Sequence, residues 1–516
     1  AKAEGTGYKA SVEQMYYGNQ QFLFVYEQFD DVRLVAAPPS SIGKFGGDTD
    51  NWIWPRHTGD FSMFRVYASK DNRPAAYSPQ NVPYRPKKHF SISTKGVKEG
   101  DFTMIYGFPG NTQEYILSDA VAYIAERSDP AKIAIRTGRL DIITKAQESD
   151  PALRIHYAAK HASIANAWKK WQGEALGIDR RGTVAAKFDY ETQFGLWSVG
   201  RPEYAGVVMG LRVEYDRIMD AYFAYEITRE TLSTLPAAYT PEERAEECFA
   251  RRKFAEQALW RHAFREYGRC PKVYRTPSYA EGMARYKSPE AYADALFEAV
   301  WEGSDSVAMR PAVRLREETK RMLDHISWML GTKSLRNLNS KILNELYTTY
   351  IKGLREWDRE RAFYPDANLT LRVAYGSVAG YEYADGEYHK PQTTLDGIIA
   401  KDNPEIYDYD IPQSLRDLYA SKNYGRWGTV IDGRRTVPVC FLATNHTTGG
   451  NSGSPVLNAG GELIGINFDR TWRSTMSDIA FDPAICRNIA VDIRYVLFVV
   501  DRIGGAGYLL KEMTLK

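Results

Sequence analysis

Apolar and polar residues alternate differently in the outer thirds of the chain and in its middle. From residue 8 to about residue 110, short apolar or alternating runs predict β-strands at Phe22–Tyr26, Val32–Val35 and Asp60–Tyr67. From about residue 113 to 365, stretches with helical period and many charges predict long helices, over 131–147, 153–172, 241–267, 311–330 and 340–363. Strand character returns after Pro365, and a last amphipathic helix is predicted over about 489–503.

The clearest chemical signal is the run from Gly449 to Pro455, which follows the predicted strand 436–444. Glycines on both sides of Ser452 let the backbone turn sharply, so that one hydroxyl and two backbone N–H groups point to the same place. Acyl transfer requires such a nucleophile beside a preformed oxyanion hole. The segments 455–457 and 462–468, joined by a glycine turn, predict a hairpin. Strand, serine loop and hairpin is the order in the second barrel of chymotrypsin-like peptidases.

These patterns together predict an α+β protein with a chymotrypsin-like double β-barrel and an inserted all-α domain. Residues 1–112 form the first part of the β-barrel peptidase domain in this prediction; the family resemblance given below implies that the first barrel is incomplete at its N-terminal side. Residues 113–368 form the inserted helical domain, which would act as a lid. Residues 369–516 form the second part of the peptidase domain and end in the C-terminal helix.

Composition narrows the possible partners. The 516 residues carry a net charge of +2, so there is no basic excess to neutralise nucleic-acid phosphates. No run of 18 apolar residues predicts a membrane span. The four cysteines lack metal-binding spacing and permit up to two disulfide bridges; they are Cys248, Cys270, Cys440 and Cys486. We expect no metal and no cofactor.

A nucleophilic serine needs a base that is held by a carboxylate. Asp60 is the best candidate for that carboxylate because it follows a glycine turn and opens the predicted strand 60–64. The triad aspartate of chymotrypsin-like peptidases likewise begins an apolar strand. The alternative is that Asp60 only caps a turn.

A long motif adds a specific resemblance. The segment Gly46-Gly47-Asp48-Thr49-Asp50-Asn51-Trp52-Ile53-Trp54-Pro55-Arg56-His57-Thr58-Gly59-Asp60-Phe61-Ser62, the serine loop and Phe468-Asp469-Arg470 resemble the bacterial dipeptidyl-peptidase seven and eleven family. These are chymotrypsin-clan serine exopeptidases with an inserted helical domain, and the resemblance covers the whole chain. It implies that Asp60 orients the base and that Ser452 attacks the substrate. The N–H groups of Gly450 and Ser452 would then form the oxyanion hole.

The resemblance also implies how a peptide is held. Asn51, Trp52 and Asp469 would bind the free α-amino group of the substrate, and Asn166 in the helical domain would bind its backbone. A carboxylate with polar partners suits an ammonium group, because each charge-assisted hydrogen bond contributes about 1.5–3 kcal/mol. Taken without the resemblance, Asn51 and Trp52 read as a packed loop and Asn166 as an amide on a helix surface.

Arg470 bears on the choice of substrate. In the family this position separates two types: glycine accompanies hydrophobic second residues, and arginine accompanies Asp or Glu. A guanidinium in a partly dry pocket pairs bidentately with a carboxylate and is left unpaired when an apolar residue enters. Arg470 therefore indicates the Asp/Glu-specific type, dipeptidyl-peptidase eleven. The alternative is a surface arginine paired with Asp469 or Asp478.

The histidines depart from the family pattern. The family places its triad histidine in an N-terminal motif before the aspartate, and this sequence has no match to that motif. His57 is too close to Asp60 in sequence to be the base, and His446 lies on the approach to the serine. We therefore expect the base to come from a segment not included in this sequence. The chain alone would then be nearly inactive, since subtilisin loses about 10⁶ in turnover without its histidine.

The leading hypothesis is a serine exopeptidase that releases N-terminal dipeptides with Asp or Glu as the second residue, through an acyl-enzyme. Two alternatives remain: an acidic-specific glutamyl endopeptidase of the same clan, and a catalytically silent peptide-binding protein. The resemblance further implies a homodimer that is periplasmic, secreted or on the cell surface of Gram-negative bacteria. Its partners would be oligopeptides with a free N-terminus, with no nucleic acid and no membrane span.

Overall fold

The computed structural model describes residues 7–303, 306–332 and 338–516. The chain divides into two compact units, which are described one at a time below. The first contains residues up to Glu114 together with Tyr364–Lys516, and the second contains Tyr115–Phe363. The strands all lie in the first unit. They are β1 Lys9–Met15, β2 Gln20–Tyr26, β3 Val32–Ala36, β4 Met63–Ala68, β5 Val82–Pro83, β6 Phe102–Gly107, β7 Arg372–Ser377, β8 Tyr381–Ala384, β9 Glu387–His389, β10 Gln392–Thr394, β11 Thr429–Ile431, β12 Arg434–Thr436, β13 Pro438–Ala443, β14 Pro455–Leu457, β15 Leu463–Arg470 and β16 Asn488–Asp492.

The α-helices are distributed over both units, with most of the helical residues in the second. They are α1 Ser40–Gly43, α2 Ser118–Ala122, α3 Asp129–Ser149, α4 Pro151–Arg180, α5 Thr183–Ser198, α6 Val207–Glu230, α7 Pro241–Ala245, α8 Lys253–Tyr267, α9 Pro277–Tyr286, α10 Pro289–Glu302, α11 Ser306–Met329, α12 Lys341–Trp357, α13 Leu395–Lys401, α14 Gln413–Ser421 and α15 Ile493–Phe498. Short 3-10 turns cover Leu232–Thr234, Ala250–Arg252, Lys272–Tyr274, Tyr407–Tyr409, Gly425–Trp427, Trp472–Asp478 and Gly507–Glu512, and π-helical turns cover Tyr123–Ser128 and Val499–Ile503. Within the described ranges, every helix is too short or too polar to span a bilayer.

A seven-stranded sheet organises the first unit. Its strand order is β10-β13-β16-β15-β14-β6-β7, and its recorded strand pairs are antiparallel. Smaller sheets are formed by β3-β4-β5, β1-β2, β8-β9 and β11-β12. The result is a mixed α and β protein, and the strand pairing recorded for the described residues closes no barrel.

The strands β13 and β16 of the large sheet are completely buried. The two strands pair with Cys440 opposite Val491. An uninterrupted apolar run is typical of a strand that is covered on both faces. That explains one wrong prediction: the helix expected over 489–503 begins as β16, and helical structure starts only at Ile493. The four cysteines are buried and free, so none of the permitted bridges forms.

The second unit is helical. Asp150 begins α4 by accepting a hydrogen bond from the Ala152 N–H at 2.7 Å, and Pro151 supplies the fixed φ that suits a first helical position. Leu140 and Ile143 of α3 pack with Leu153 and Tyr157 of α4 in one buried cluster. The helix predicted over 241–267 is interrupted between α7 and α8.

That interruption has a packing cause. Phe249 stacks on Trp301 with ring centroids 4.3 Å apart and lies edge-on to Tyr239 at 5.4 Å. The chain leaves the helical path at Glu246, whose backbone is extended, and resumes it at Lys253. Aromatic burial of this kind outweighs a local helical preference of less than about 1 kcal/mol per residue.

Candidate active site

Ser452 lies in the loop between β13 and β14 and is exposed to solvent. The Ser452 hydroxyl is 3.4 Å from the carbonyl oxygen of Phe468 in β15. β14 and β15 form the predicted hairpin, with Pro455 opposite Ile466. The loop is therefore held directly over the strand that carries Asp469 and Arg470.

Glycine is required at two points of this loop. Gly450 and Gly453 have φ angles of 107° and 84°, in the region that L side chains rarely adopt. A Cβ on Gly450 would lie 2.4 Å from the carbonyl oxygen of Phe108 and 2.8 Å from the amide nitrogen of Gly110. Both are backbone atoms, so neither can move aside easily. The Gly110 N–H also donates to the Gly449 carbonyl at 2.6 Å.

Hydrogen bonds then anchor the loop to β15. The Gly453 N–H donates to the Asn467 carbonyl at 2.8 Å, and the Asn467 side-chain amide donates to the Asn451 carbonyl at 3.1 Å. The N–H groups of Gly450 and Ser452 donate to no acceptor among the described residues. They are the two donors that the sequence predicts for an oxyanion hole.

Asp60 lies in an extended stretch three residues before β4, so the strand begins later than the sequence predicted. Its side chain is accessible to solvent, yet the protein atoms around it displace enough water to raise the pKa of its carboxyl. The Arg56 guanidinium opposes this rise in the pKa, and the Asp469 carboxylate adds to it. Asp60 accepts no side-chain hydrogen bond from another described residue.

Asp469 is held by three donors. Its Oδ2 is 2.7 Å from Arg56 Nη1, and the two side chains are only 9 % and 8 % exposed. The same oxygen accepts the Trp52 N–H at 3.2 Å, and Oδ1 accepts the Arg470 N–H at 2.8 Å. The sequence placed Asp469 and Trp52 in one subsite, and the structure brings them into contact. It did not assign a role to Arg56.

Trp52 and Asn51 belong to a loop under backbone strain. Trp52 has a φ of 65°, which a bulky residue rarely adopts, and Asn51 is half-buried beside it. Asp50 fixes the loop by accepting hydrogen bonds from Lys401 Nζ at 2.7 Å and from the Tyr409 hydroxyl at 3.0 Å. Strain that is held in place by neighbouring contacts is common where a protein binds ligands.

Arg470 is buried, 4 % exposed, and its guanidinium carbon lies 5.6 Å from the centre of the Trp52 ring. The guanidinium pairs with Asp478, with Nη1 2.6 Å from Oδ1 and Nη2 2.8 Å from Oδ2. Nη1 also donates to the Ser477 hydroxyl at 2.9 Å and to the Thr447 carbonyl at 3.2 Å. The pairing with Asp478 that the sequence left open is present, but the arginine is not on the surface.

A second layer supports Asp478. His446 Nε2 is 3.0 Å from the Ser477 carbonyl oxygen, and its ring stacks on Phe481 at 4.5 Å between centroids. Burial lowers the pKa of His446 to about 4, with Asp478 raising it and Arg470 lowering it further. A neutral imidazole then donates from Nε2 to that carbonyl. The sequence carried no signal for this role beyond the position of His446 before the serine loop.

The remaining predicted residue is in the other unit. Asn166 lies in α4, and it is exposed. No histidine among the described residues hydrogen-bonds Ser452 or Asp60. His57, the nearest to Asp60 in sequence, is buried against Gly397, and burial together with Lys401 and Arg56 lowers its pKa to about 3.

One cluster in the described part of the chain has ligand types suitable for a metal ion: His156, Glu246 and Cys248, in the second unit. Arg252 lies in the middle of it, with Nη1 2.7 Å from His156 Nε2 and 3.1 Å from Glu246 Oε2. A guanidinium in this position opposes a divalent cation by like-charge repulsion. The cluster is better described as an ion pair between Arg252 and Glu246, with His156 beside it.

Comparison with known proteins gives the family. The profile described as Peptidase S46 matches residues 1–247 and 242–515. An Asp/Glu-specific dipeptidyl-peptidase of Capnocytophaga gingivalis is 43% identical over 551 residues, which cover 98% of this chain and 76% of that protein. A relative named dipeptidyl-peptidase 7, from Phocaeicola vulgatus, is 35% identical and covers 99% of this chain and 76% of its own length.

The fold has a solved counterpart. The crystal structure of DPP11 from Porphyromonas endodontalis in complex with the dipeptide Arg-Glu superposes with a TM-score of 0.86 at 35% identity. The match covers 100% of this chain and 79% of the other. The mixed α and β architecture described above is thus one that this peptidase also adopts.

Proposed function

We propose a reaction for this chain, which belongs to the peptidase S46 family. In this proposal the chain is a serine peptidase that releases dipeptides from the free N-terminus of oligopeptides when the second residue is Asp or Glu. The observation that carries this proposal is the buried guanidinium of Arg470, two residues along β15 from the carbonyl that contacts the Ser452 hydroxyl. The names and specificities of the relatives support it.

Ser452 attacks the carbonyl carbon of the second residue of the substrate, and the peptide bond after that residue breaks. The negative charge that develops on the carbonyl oxygen is stabilised by the N–H groups of Gly450 and Ser452. Removing one such donor from a peptidase lowers turnover by about 10²–10³-fold. The loop must therefore hold both N–H groups in place before the substrate reacts. The contacts that Gly450 makes with Phe108 and Gly110 support this role, because they hold its backbone in one conformation.

Asp60 orients the histidine that takes the proton from Ser452 and returns it to the leaving amine. Its accessible carboxylate, with no partner among the described side chains, supports this assignment. After the first product leaves, water attacks the acyl-enzyme by the same proton relay. Reaction of Ser452 with a fluorophosphonate tests the relay, since a silent peptide-binding protein does not react.

Asn51, Trp52 and Asp469 bind the α-amino group of the substrate. The contact between the Trp52 N–H and Asp469 supports grouping them in one subsite. The charge of Asp469 is already balanced by Arg56, so the substrate ammonium shares this carboxylate with the guanidinium. Asn166 binds the peptide backbone; this assignment depends on the sequence motif.

Arg470 selects Asp or Glu at the second position. A planar guanidinium can donate two parallel hydrogen bonds to a carboxylate, and the burial of Arg470 strengthens the attraction because surroundings of low polarity screen charges weakly. The Trp52 ring at 5.6 Å supports a position at the wall of a pocket rather than in the core of the sheet.

The finer features follow the same resemblance. We assign a chymotrypsin-like double β-barrel to the peptidase domain, formed by residues 1–112 and 369–516, and a lid function to the inserted residues 113–368. The enzyme is a homodimer and acts in the periplasm, at the cell surface or after secretion. Size-exclusion chromatography with light scattering tests the dimer: a monomeric mass removes that assignment.

The deciding experiment uses the full-length protein and three peptides of one sequence: one with a free N-terminus and Glu second, its acetylated form, and one with a free N-terminus and Gln second. The proposal expects release of a dipeptide from the first peptide alone. Undiminished cleavage of the acetylated peptide would instead identify a glutamyl endopeptidase, because that activity does not need the ammonium group. Equal cleavage of the Glu and Gln peptides would remove the acidic specificity.

A further inference from the structure

We propose that Asp478 is a specificity-determining residue: its charge limits how strongly the Arg470 pocket prefers a carboxylate over the isosteric amide. This inference rests on the proposed function, because it concerns the same pocket. Asp478 contacts the guanidinium through both carboxylate oxygens, at 2.6 and 2.8 Å, and its own side chain is 14 % exposed. The pair is therefore largely desolvated, and its two charges cancel locally.

The consequence concerns the charge that a substrate meets. A carboxylate entering a pocket with an isolated arginine takes the local charge from +1 to zero. In this pocket the charge starts at zero and becomes −1, with two carboxylates beside one guanidinium. Two carboxylates at such short range repel each other, and the low polarity of the pocket strengthens this repulsion. Asp478 thus weakens binding of Glu or Asp, while Gln, which brings no charge, is unaffected.

The backbone that carries Asp478 is anchored on both sides. Its backbone carbonyl accepts the Gln113 N–H at 2.6 Å, and the preceding carbonyl, of Ser477, is bound by His446. The Ser477 hydroxyl binds the same guanidinium at 2.9 Å. The loop after β6 and the segment between β13 and Ser452 therefore hold the backbone from which this carboxylate extends, in the turn after β15.

The test measures equilibrium binding of two dipeptides, Arg-Glu and Arg-Gln, by titration calorimetry with the protein and with Asp478→Asn. Asparagine has the same shape and keeps one acceptor for Nη1, but it carries no charge. We expect affinity for Arg-Glu to rise about tenfold and affinity for Arg-Gln to change by less than about twofold. Asp478→Glu, which keeps the charge, should leave the ratio of the two affinities near that of the unchanged protein.

The matched control is Asp432→Asn. Asp432 forms an exposed pair with Lys390, in the same unit, with side chains 70 % and 72 % exposed. Its φ of 49° is a conformation that asparagine tolerates well. Removing this charge should change both affinities by less than about twofold, because exposed pairs contribute little.

The possible outcomes separate the inference from the function. An unchanged or lower Glu-to-Gln ratio in Asp478→Asn, with clear Glu preference in the unchanged protein, overturns the role of Asp478 alone. An equal rise in Asp478→Glu also overturns it, because charge would not be the cause. If only the Asn variant fails to fold, Asp478 is a structural residue and the inference is wrong. Absence of any Glu preference in the unchanged protein removes the proposed function and the inference together.

Discussion

Asp469 binds Arg56 through a contact of 2.7 Å between Oδ2 and Nη1, with both side chains nearly buried. Its neighbour Arg470 binds Asp478 instead. Two adjacent residues of opposite charge therefore each take a separate counterion, and their side chains are held apart on β15. Successive residues of a strand point to opposite faces of the sheet, which accounts for this separation. The two subsites proposed above depend on it.

The first prediction concerns Asp469. The kcat/KM of a peptide with a free α-amino group should exceed that of an otherwise identical peptide without it by about 10- to 100-fold. This factor corresponds to the contribution of one charge-assisted hydrogen bond. In Asp469→Asn that difference should nearly disappear, because the ammonium loses its carboxylate. The measurement is the kcat/KM ratio for the two peptides. A ratio that persists in the variant would show that Asp469 only supports the loop of Trp52.

The second prediction concerns Arg470→Gln. Asp478 is then left as the charged group of the pocket and repels a second carboxylate. The preference for Glu over Gln should be lost or reversed, as measured by kcat/KM on paired peptides. The double variant Arg470→Gln with Asp478→Asn should show no preference, since both charges are gone. Continued preference for Glu in either variant would refute the assignment of Arg470.

The third prediction concerns the serine loop. Gly450→Ala places a methyl group 2.4 Å from the Phe108 carbonyl and forces an alanine to a φ of 107°. The loop must shift, so dipeptide release should fall about 100-fold or more, the cost of one lost oxyanion donor. Gly449→Ala is the control, since its Cβ meets nothing within 4 Å. Equal losses in the two variants would contradict this account.

The fourth prediction concerns the packing of His57, in the tryptophan-rich motif of residues 46–62, against α13. A Cβ on Gly397 in α13 would lie 2.0 Å from His57 Nε2, and that ring is buried. Gly397→Ala should lower the free energy of unfolding by about 1–3 kcal/mol, the usual cost of overpacking. Gly195→Ala, in the interior of α5 with open space around its Cβ, should be neutral or stabilising. Thermal unfolding midpoints compare the two variants; a higher midpoint for Gly397→Ala would contradict the packing described.

The fifth prediction concerns pH. His446 has a pKa of about 4 in the folded protein, below its ordinary value of 6.5. Between these values the unfolded chain binds more protons than the folded chain, so stability falls as the pH is lowered from 6.5 towards 4. The slope from one histidine reaches about 1.4 kcal/mol per pH unit.

His446→Asn should therefore reduce the change in unfolding midpoint between pH 7 and pH 4.5. The control is His89→Asn, which alters an exposed histidine in the same unit. If the two variants show the same dependence on pH as the unchanged protein, His446 is not the group that titrates.

Local sequence was a good guide where one periodicity holds over many residues. The pattern of 131–147 predicted α3, and the glycine turn at 460–461 predicted the hairpin of β14 and β15. It failed for residues 489–492, because the short apolar run 489–491 fits a buried strand and a buried helix equally well. Their pairing with β13 and β15 decides in favour of the strand.

The candidate site divides in the same way. The tryptophan-rich motif and the serine loop named Ser452, Asp60, Trp52 and Arg470 without any coordinates, since short segments of chain define their chemistry. The counterions could not be named in this way. Arg56 lies 413 positions from Asp469, and its side chain could have paired with any nearby acid.

The sequence by itself determined the candidate nucleophile, the glycines that expose its hydroxyl and the family to which the chain belongs. These depend on backbone conformations and on motifs that adjacent residues specify. Only the tertiary structure decided that Arg470 is buried against Asp478 and that Asp469 is neutralised by Arg56. The charge balance of these buried groups depends on which side chains from distant parts of the sequence meet there. The fold of the whole sheet determines which side chains do.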